Sequence, residues 1–217
     1  MLPLDGNNID DNCNSVEDNI STEASCITEE EYKCPLSNVV LTQNNYIRFV
    51  VSPENIVYPD IYEKLPDLGD DKQFYLYCEK SNIENFIKYC ADKELNIDKD
   101  IISNIKNQLL NYSGELLSMA NNAGQLTYGF EKVESSFKKK RKGSFITCAK
   151  ENCSSRVKLE NIYRHNNKDK TIDIFNSELL SKSIGRSNPV YVFVEYGGLS
   201  RKINVQVNKY HNLCDLV

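Results

Sequence analysis

The sequence predicts a mixed α/β protein: a small α+β unit first, then an α/β/α sandwich. Three observations carry this. Between residues 46 and 78, short runs of aromatic and β-branched residues lead into an amphipathic helix. From Gly114 onward, helical and strand-type patterns alternate, which argues for a sheet covered on both faces. The charge divides at the same place. Residues 1–108 carry 9 Lys+Arg against 21 Asp+Glu, net −12, whereas residues 109–217 carry 17 against 10, net +7. A division of this size predicts two units with different surfaces, the second facing a polyanion.

Residues 1–28 hold Asp, Glu, Asn and Ser with few large apolar groups, so they are expected to form a disordered acidic leader. Residues 29–92 form the first unit. Tyr46–Val51 (YIRFVV) reads as a strand, Ser52-Pro53-Glu54-Asn55 as a turn, and Ile56-Val57-Tyr58 as the returning hairpin partner. A third strand is expected at Phe74–Cys78. Ser81 and Glu84 form a capping box for a helix carrying Ile83, Phe86, Ile87 and Cys90. Residues 93–108 are a linker leading into a helix over 98–112, with Ile102, Ile105 and Leu109 on one face. That helix is either a connector or the first element of the second unit, which spans 109–213.

The stretch Leu116–Lys142 organises this second unit. Leu116, Leu117 and Ala120 form an apolar stripe ended by Gly124. After Gly129, Phe130, Val133 and Phe137 define a second buried helical face, which runs into Lys138, Lys139, Lys140, Arg141 and Lys142. Beyond it lie a strand at Ser144–Ala149, a helix capped by Ser154 or Ser155, and a strand at Thr171–Phe175. A helix capped by Ser177 and ended by Gly185 follows, then a strand at Val190–Glu195 and a final helix from about Gly198.

AGQLTYGFEKVE resembles the signature of the kink-turn-binding ribosomal proteins of the L-seven-Ae and L-thirty-e type. It is most similar to the form fused behind a YlxR-like domain in alphaproteobacterial RNA-binding proteins. Upstream, Cys34, Ile47-Arg48-Phe49-Val50, Pro59-Asp60 and Lys64-Leu65-Pro66 resemble the YlxR pattern in order and spacing. The resemblance implies a small α+β domain, an α/β/α sandwich, and a cytoplasmic bacterial role on structured, possibly ribosomal, RNA in translation or RNA processing. Two departures matter. The YlxR Gly-Arg-Gly is replaced by Asp67-Leu68-Gly69. Where the kink-turn proteins carry Gly-x-Asn-Glu-x-x-Lys, this chain reads Gly129-Phe130-Glu131-Lys132-Val133-Glu134-Ser135, so the base-reading set is not preserved.

The expected RNA contacts are Gly129, whose helix start offers N–H groups to phosphate, Lys132 in the same turn, the run Lys138–Lys142, and Arg186 in the loop Gly185-Arg186-Ser187-Asn188. Gly129 also serves the turn, and the cation run also complements a helix dipole. Arg48 is either a phosphate ligand or a structural ion-pair partner. No nucleophile–base spacing, Walker A, H-E-x-x-H or dinucleotide fingerprint occurs, so no catalytic residue or cofactor is expected. The eight cysteines include no C-x-x-C and no export signal precedes them, so reduced thiols and no metal site are expected. No apolar run reaches the roughly 20 residues of a membrane span. The rival expectation is a protein-interaction adaptor of the translation or RNA-processing machinery, presenting the acidic half and Gly197-Gly198 to a basic partner.

Overall fold

The first sheet forms around YIRFVV. In the computed structural model, which describes residues 32–69, 72–148, 150, 153–167 and 170–214, this run is strand β1 (Tyr46–Val51). It pairs antiparallel with β2 (Ile56–Pro59) and β3 (Gln73–Tyr77), with Phe49 opposite both Pro59 and Phe74. A two-residue strand, β4 (Asn96–Ile97), adds parallel to β2, giving the order β3-β1-β2-β4. Helix α1 (Lys80–Asp92) covers the sheet with Ile83, Phe86 and Cys90, and the Phe49 and Phe86 rings lie 4.9 Å apart. The expected capping box does not form. The helix starts one residue before Ser81, with Glu79 at the N-cap and no side-chain cap. The acidic leader expected over 1–28 lies outside the described residues.

Helix α2 (Ile101–Asn122) merges the two helices expected at 98–112 and around Leu116. It runs unbroken through residue 109, so the expected 93–108 linker consists of β4 and the first turns of this helix. Ile101, Ile105 and Leu109 sit in the core of the first sheet. Leu116, Leu117 and Ala120, further along, sit in the core of the second. A single amphipathic helix whose stripe drifts around its axis supplies both. The last helix, α6 (Gly198–Asn212), works the same way in reverse: Ile203 and Val207 fill the second core, and Leu213 just beyond it fills the first. Residues Glu31–Val217 accordingly form one compact unit.

The second sheet has the order β5-β7-β6, all antiparallel, built from β5 (Leu126–Tyr128), β6 (Gly143–Thr147) and central β7 (Tyr191–Glu195). Strand alternation sends neighbouring residues to opposite faces. Phe145, Tyr191 and Phe193 pack against α3 (Phe130–Lys138) and α4 (Ser154–Asn166). Ile146, Val192 and Val194 pack against α2, α6 and α5 (Ser177–Ile184). Helices thus lie on both faces. The centre of the first of these cores is aromatic: Phe137 stands 5.2–5.3 Å from the rings of Phe145, Tyr163 and Phe193.

Thr171–Phe175 does not become a strand. Only Ile172 bridges beside Ile146, with Ile172 N–H donating to Phe145 O (2.8 Å) and Thr147 N–H to Ile172 O (2.8 Å). Strand β5 was not legible, because three residues between two helices carry too little alternation to register.

Candidate nucleic-acid interface

The site is built where β5 turns into α3. Gly129 makes the turn at φ +90°, a region that favours glycine, while its N–H donates to Tyr191 O at 2.9 Å. No atom lies within 4 Å of where a Cβ would stand, so conformation rather than space calls for glycine here. Helix α3 starts with no side-chain cap, leaving its first-turn N–H groups turned outward as partial positive charge; Glu131 shares that turn.

Two cations converge on the residue before this turn. Lys132 Nζ stands 5.6 Å from the Tyr128 ring centroid, and the Arg186 guanidinium carbon stands 5.6 Å from the same centroid. Both fall within cation–π range. Lys132 comes from the first turn of α3. Arg186 arrives because Gly185, at φ +69°, ends α5 in the left-handed conformation, and both Gly185 and Arg186 donate their N–H to Ser181 O. Gly129, Lys132 and Arg186 are thus brought together around Tyr128. Sequence reasoning missed Tyr128 as a site residue. Its signal was an aromatic side chain immediately before the glycine, which in sequence looks the same as a core aromatic.

The cation run divides. Helix α3 stops at Lys138, Lys139 is its C-cap, and Lys140 takes φ +56°, so the run is a tight turn rather than a helix end. Lys140 and Arg141 N–H groups cap the carbonyls of Phe137 and Ser136. Lys139 and Arg141 line a hollow of about 310 Å³ with Lys132 and Thr127. Lys138 and Lys140 line another with Ile162 and His165. Lys138 is paired with Glu134 at 3.1 Å, and Arg141 with Glu195. Glu134 also takes Lys158 at 2.7 Å, and hydrogen bonds from Lys158 and Lys138 hold its carboxyl below the usual range. Lys142 is exposed, and its carbonyl accepts from Tyr196 N–H.

Arg48 is not at the surface. It is 6% exposed, pairs with Asp60 at 3.3 Å, and donates to Leu65 O at 2.8 Å and to Pro66 O. Asp60 also accepts from the N–H groups of Lys64 and Leu65. Of its two alternatives, the structural ion-pair partner is the one found: a buried arginine whose donors fold the 60–66 loop onto β1 has no reach to a phosphate. Half of the residues that carry the YlxR resemblance, Arg48, Asp60 and Lys64-Leu65-Pro66, are the parts of this knot.

One further polar cluster lies at the start of α4. Cys153 Sγ is 3.0 Å from Ser155 Oγ, which is 2.6 Å from the Tyr191 hydroxyl. Hydrogen bonding from Ser155 first, and then from the Arg156 N–H and Tyr191, brings the Cys153 thiol down to about 7. His165 and His211 are exposed. Among the described residues no helix is long and apolar enough to cross a membrane.

No family model and no curated protein matches this chain. Among solved structures, a protein of unknown function from Bacillus halodurans is similar over 44% of this chain and 96% of that one, at 23% identity and a TM-score of 0.41. That likeness carries no functional inference.

Proposed function

We propose that this is a non-enzymatic RNA-binding protein of the bacterial cytoplasm, acting on structured RNA in translation or RNA processing. Its first unit is YlxR-like and its second belongs to the L-seven-Ae and L-thirty-e type. The observation that carries the reading is the convergence of Lys132 and Arg186 on Tyr128 beside the uncapped start of α3. An aromatic face flanked by two cations suits an unstacked base and its phosphates, and helix N–H groups suit phosphate. Lys139 extends this face along the hollow it shares with Lys132. Glu131 and Ser135 stand where the kink-turn proteins place base-reading residues, so contact through backbone and stacking fits better than kink-turn specificity.

The test is RNA binding by the full chain across a salt series, with a kink-turn and an unstructured RNA. Cutting at 109 is unsuitable, because it severs α2 and strips Leu213 of its packing. Salt-sensitive binding of both RNAs, lost on Tyr128→Ala, is the expected result. An absence of binding at low salt overturns the reading. The adaptor reading then takes its place, favoured by the exposure of Ile56 and Tyr58 side by side on β2.

A further inference from the structure

A cavity of about 680 Å³ lies away from the α3 face, where the first turns of α6 meet the loops flanking the first sheet. Its size is that of a small-molecule site. Three kinds of group line it. Tyr62 and Tyr112, with rings 4.7 Å apart and inclined at 47°, form an aromatic wall. Tyr196, 66% exposed, stands at the mouth with the Arg201 guanidinium 5.9 Å from its ring. Lys202 adjoins Arg201 on the rim, and α6 begins there at Gly198 with no side-chain cap. The third group is amides: Gln43 and Asn44 from the loop before β1, and Gln206 from α6.

Gln206 is only 8% exposed and its Oε1 is enclosed by protein atoms, so it shapes the wall of the hollow and the outer amides are left to meet a ligand. The cations Arg201, Lys202 and Lys209 outnumber the carboxylate of Glu63 around the cavity. A bare anion would leave the tyrosines without a role, and an apolar ligand would leave the cations and amides without one. A group with a planar ring, ring or exocyclic N–H donors and a phosphate uses all three.

We propose that this cavity is a nucleotide site: the base lies against Tyr196 or the Tyr62–Tyr112 wall and bonds to the amides of Gln43 or Asn44, and the phosphate rests on Arg201, Lys202 and the start of α6. The chemistry is shared by a free nucleoside monophosphate and by one unstacked nucleotide of single-stranded RNA. The site does not rest on the α3 face, since the two use different residues.

The experiment is calorimetric titration of the full chain with the four nucleoside 5′-monophosphates, with ribose 5-phosphate, and with a single-stranded RNA hexamer. At least one monophosphate should bind more tightly than ribose 5-phosphate. Tyr196→Ala and Arg201→Ala, both at exposed positions, should each weaken it about tenfold while melting stays as in the wild type. The pair Lys132→Ala and Arg186→Ala should leave binding unchanged, so failure here is separable from failure of the α3 face. A hexamer binding more tightly than any monophosphate assigns the site to RNA, and the reverse assigns it to the free nucleotide. Ribose 5-phosphate binding as tightly as the nucleotides, no binding at millimolar ligand, or binding indifferent to Tyr196→Ala and Arg201→Ala each overturns the proposal.

Discussion

If RNA lies on the α3 face, the cations that matter are those sharing a side with Tyr128, not the whole run of five. Lys132, Lys139 and Arg186 meet that condition, whereas Lys138 and Lys140 line the hollow beside α4. Replacing the first three with Ala removes up to three phosphate contacts. Each contact to single-stranded RNA contributes about −0.7 to the slope of log K against log salt, so the slope should flatten by about 2. Over a fourfold rise in salt, the wild type should then lose about 20-fold more affinity than the variant. All three side chains are exposed, so stability should change by no more than about 0.5 kcal/mol. The double variant Lys138→Ala, Lys140→Ala is the control, and its slope should move by less than about 0.5. Fluorescence anisotropy with a labelled RNA at several salt concentrations reads both slopes. If the control flattens the slope as much as the triple variant does, the division of the cation run is irrelevant and the assignment of this face is wrong.

Three other outcomes are expected. Arg48→Ala should cost roughly 3–5 kcal/mol in denaturant unfolding, because Asp60 stays buried without its guanidinium partner, while RNA affinity of the folded protein is unchanged. Gly143→Ala should cost about 3 kcal/mol or more, since an added Cβ would stand 2.0 Å from Val194 O across the β6–β7 pair; Gly129→Ala meets no atom and should cost only about 1–2 kcal/mol of backbone strain, and thermal melts separate the two. Alkylation of Cys153 should show a pH midpoint near 7, raised by Ser155→Ala. Because the folded thiol titrates below its ordinary value of 9.0, its contribution to stability is fully present above pH 9 and is lost as pH falls through about 7, which unfolding measured across that window checks.

Much of the architecture was legible in the chain. YIRFVV and VYVFVE are β-branched and aromatic enough to declare the central strands of both sheets, and Gly185 marks the end of α5 because left-handed backbone at a helix end favours glycine. The apolar spacings of Val133 and Phe137, and of Ile105 and Leu109, named core residues, because a helical face is a local property of sequence. The charge division was equally plain.

What tertiary structure decided was where charges and rings meet. Arg48 beside Phe49 reads alike whether it faces phosphate or a buried aspartate; the choice rests on Asp60 and the carbonyls of Leu65 and Pro66, brought in by a loop. Five adjacent cations read as one patch, yet the left-handed backbone at Lys140 turns the run and sends alternate members to different hollows. The stripe of α2 runs from one core into the other, which spacing alone presents as two helices or one. Lys132 is a sequence neighbour of Tyr128, but Arg186 reaches the same ring only because α5 ends beside the start of α3. Periodicity reports what a residue does to its own helix or strand. Pairing between residues distant in the chain is set by packing, and no local pattern encodes it.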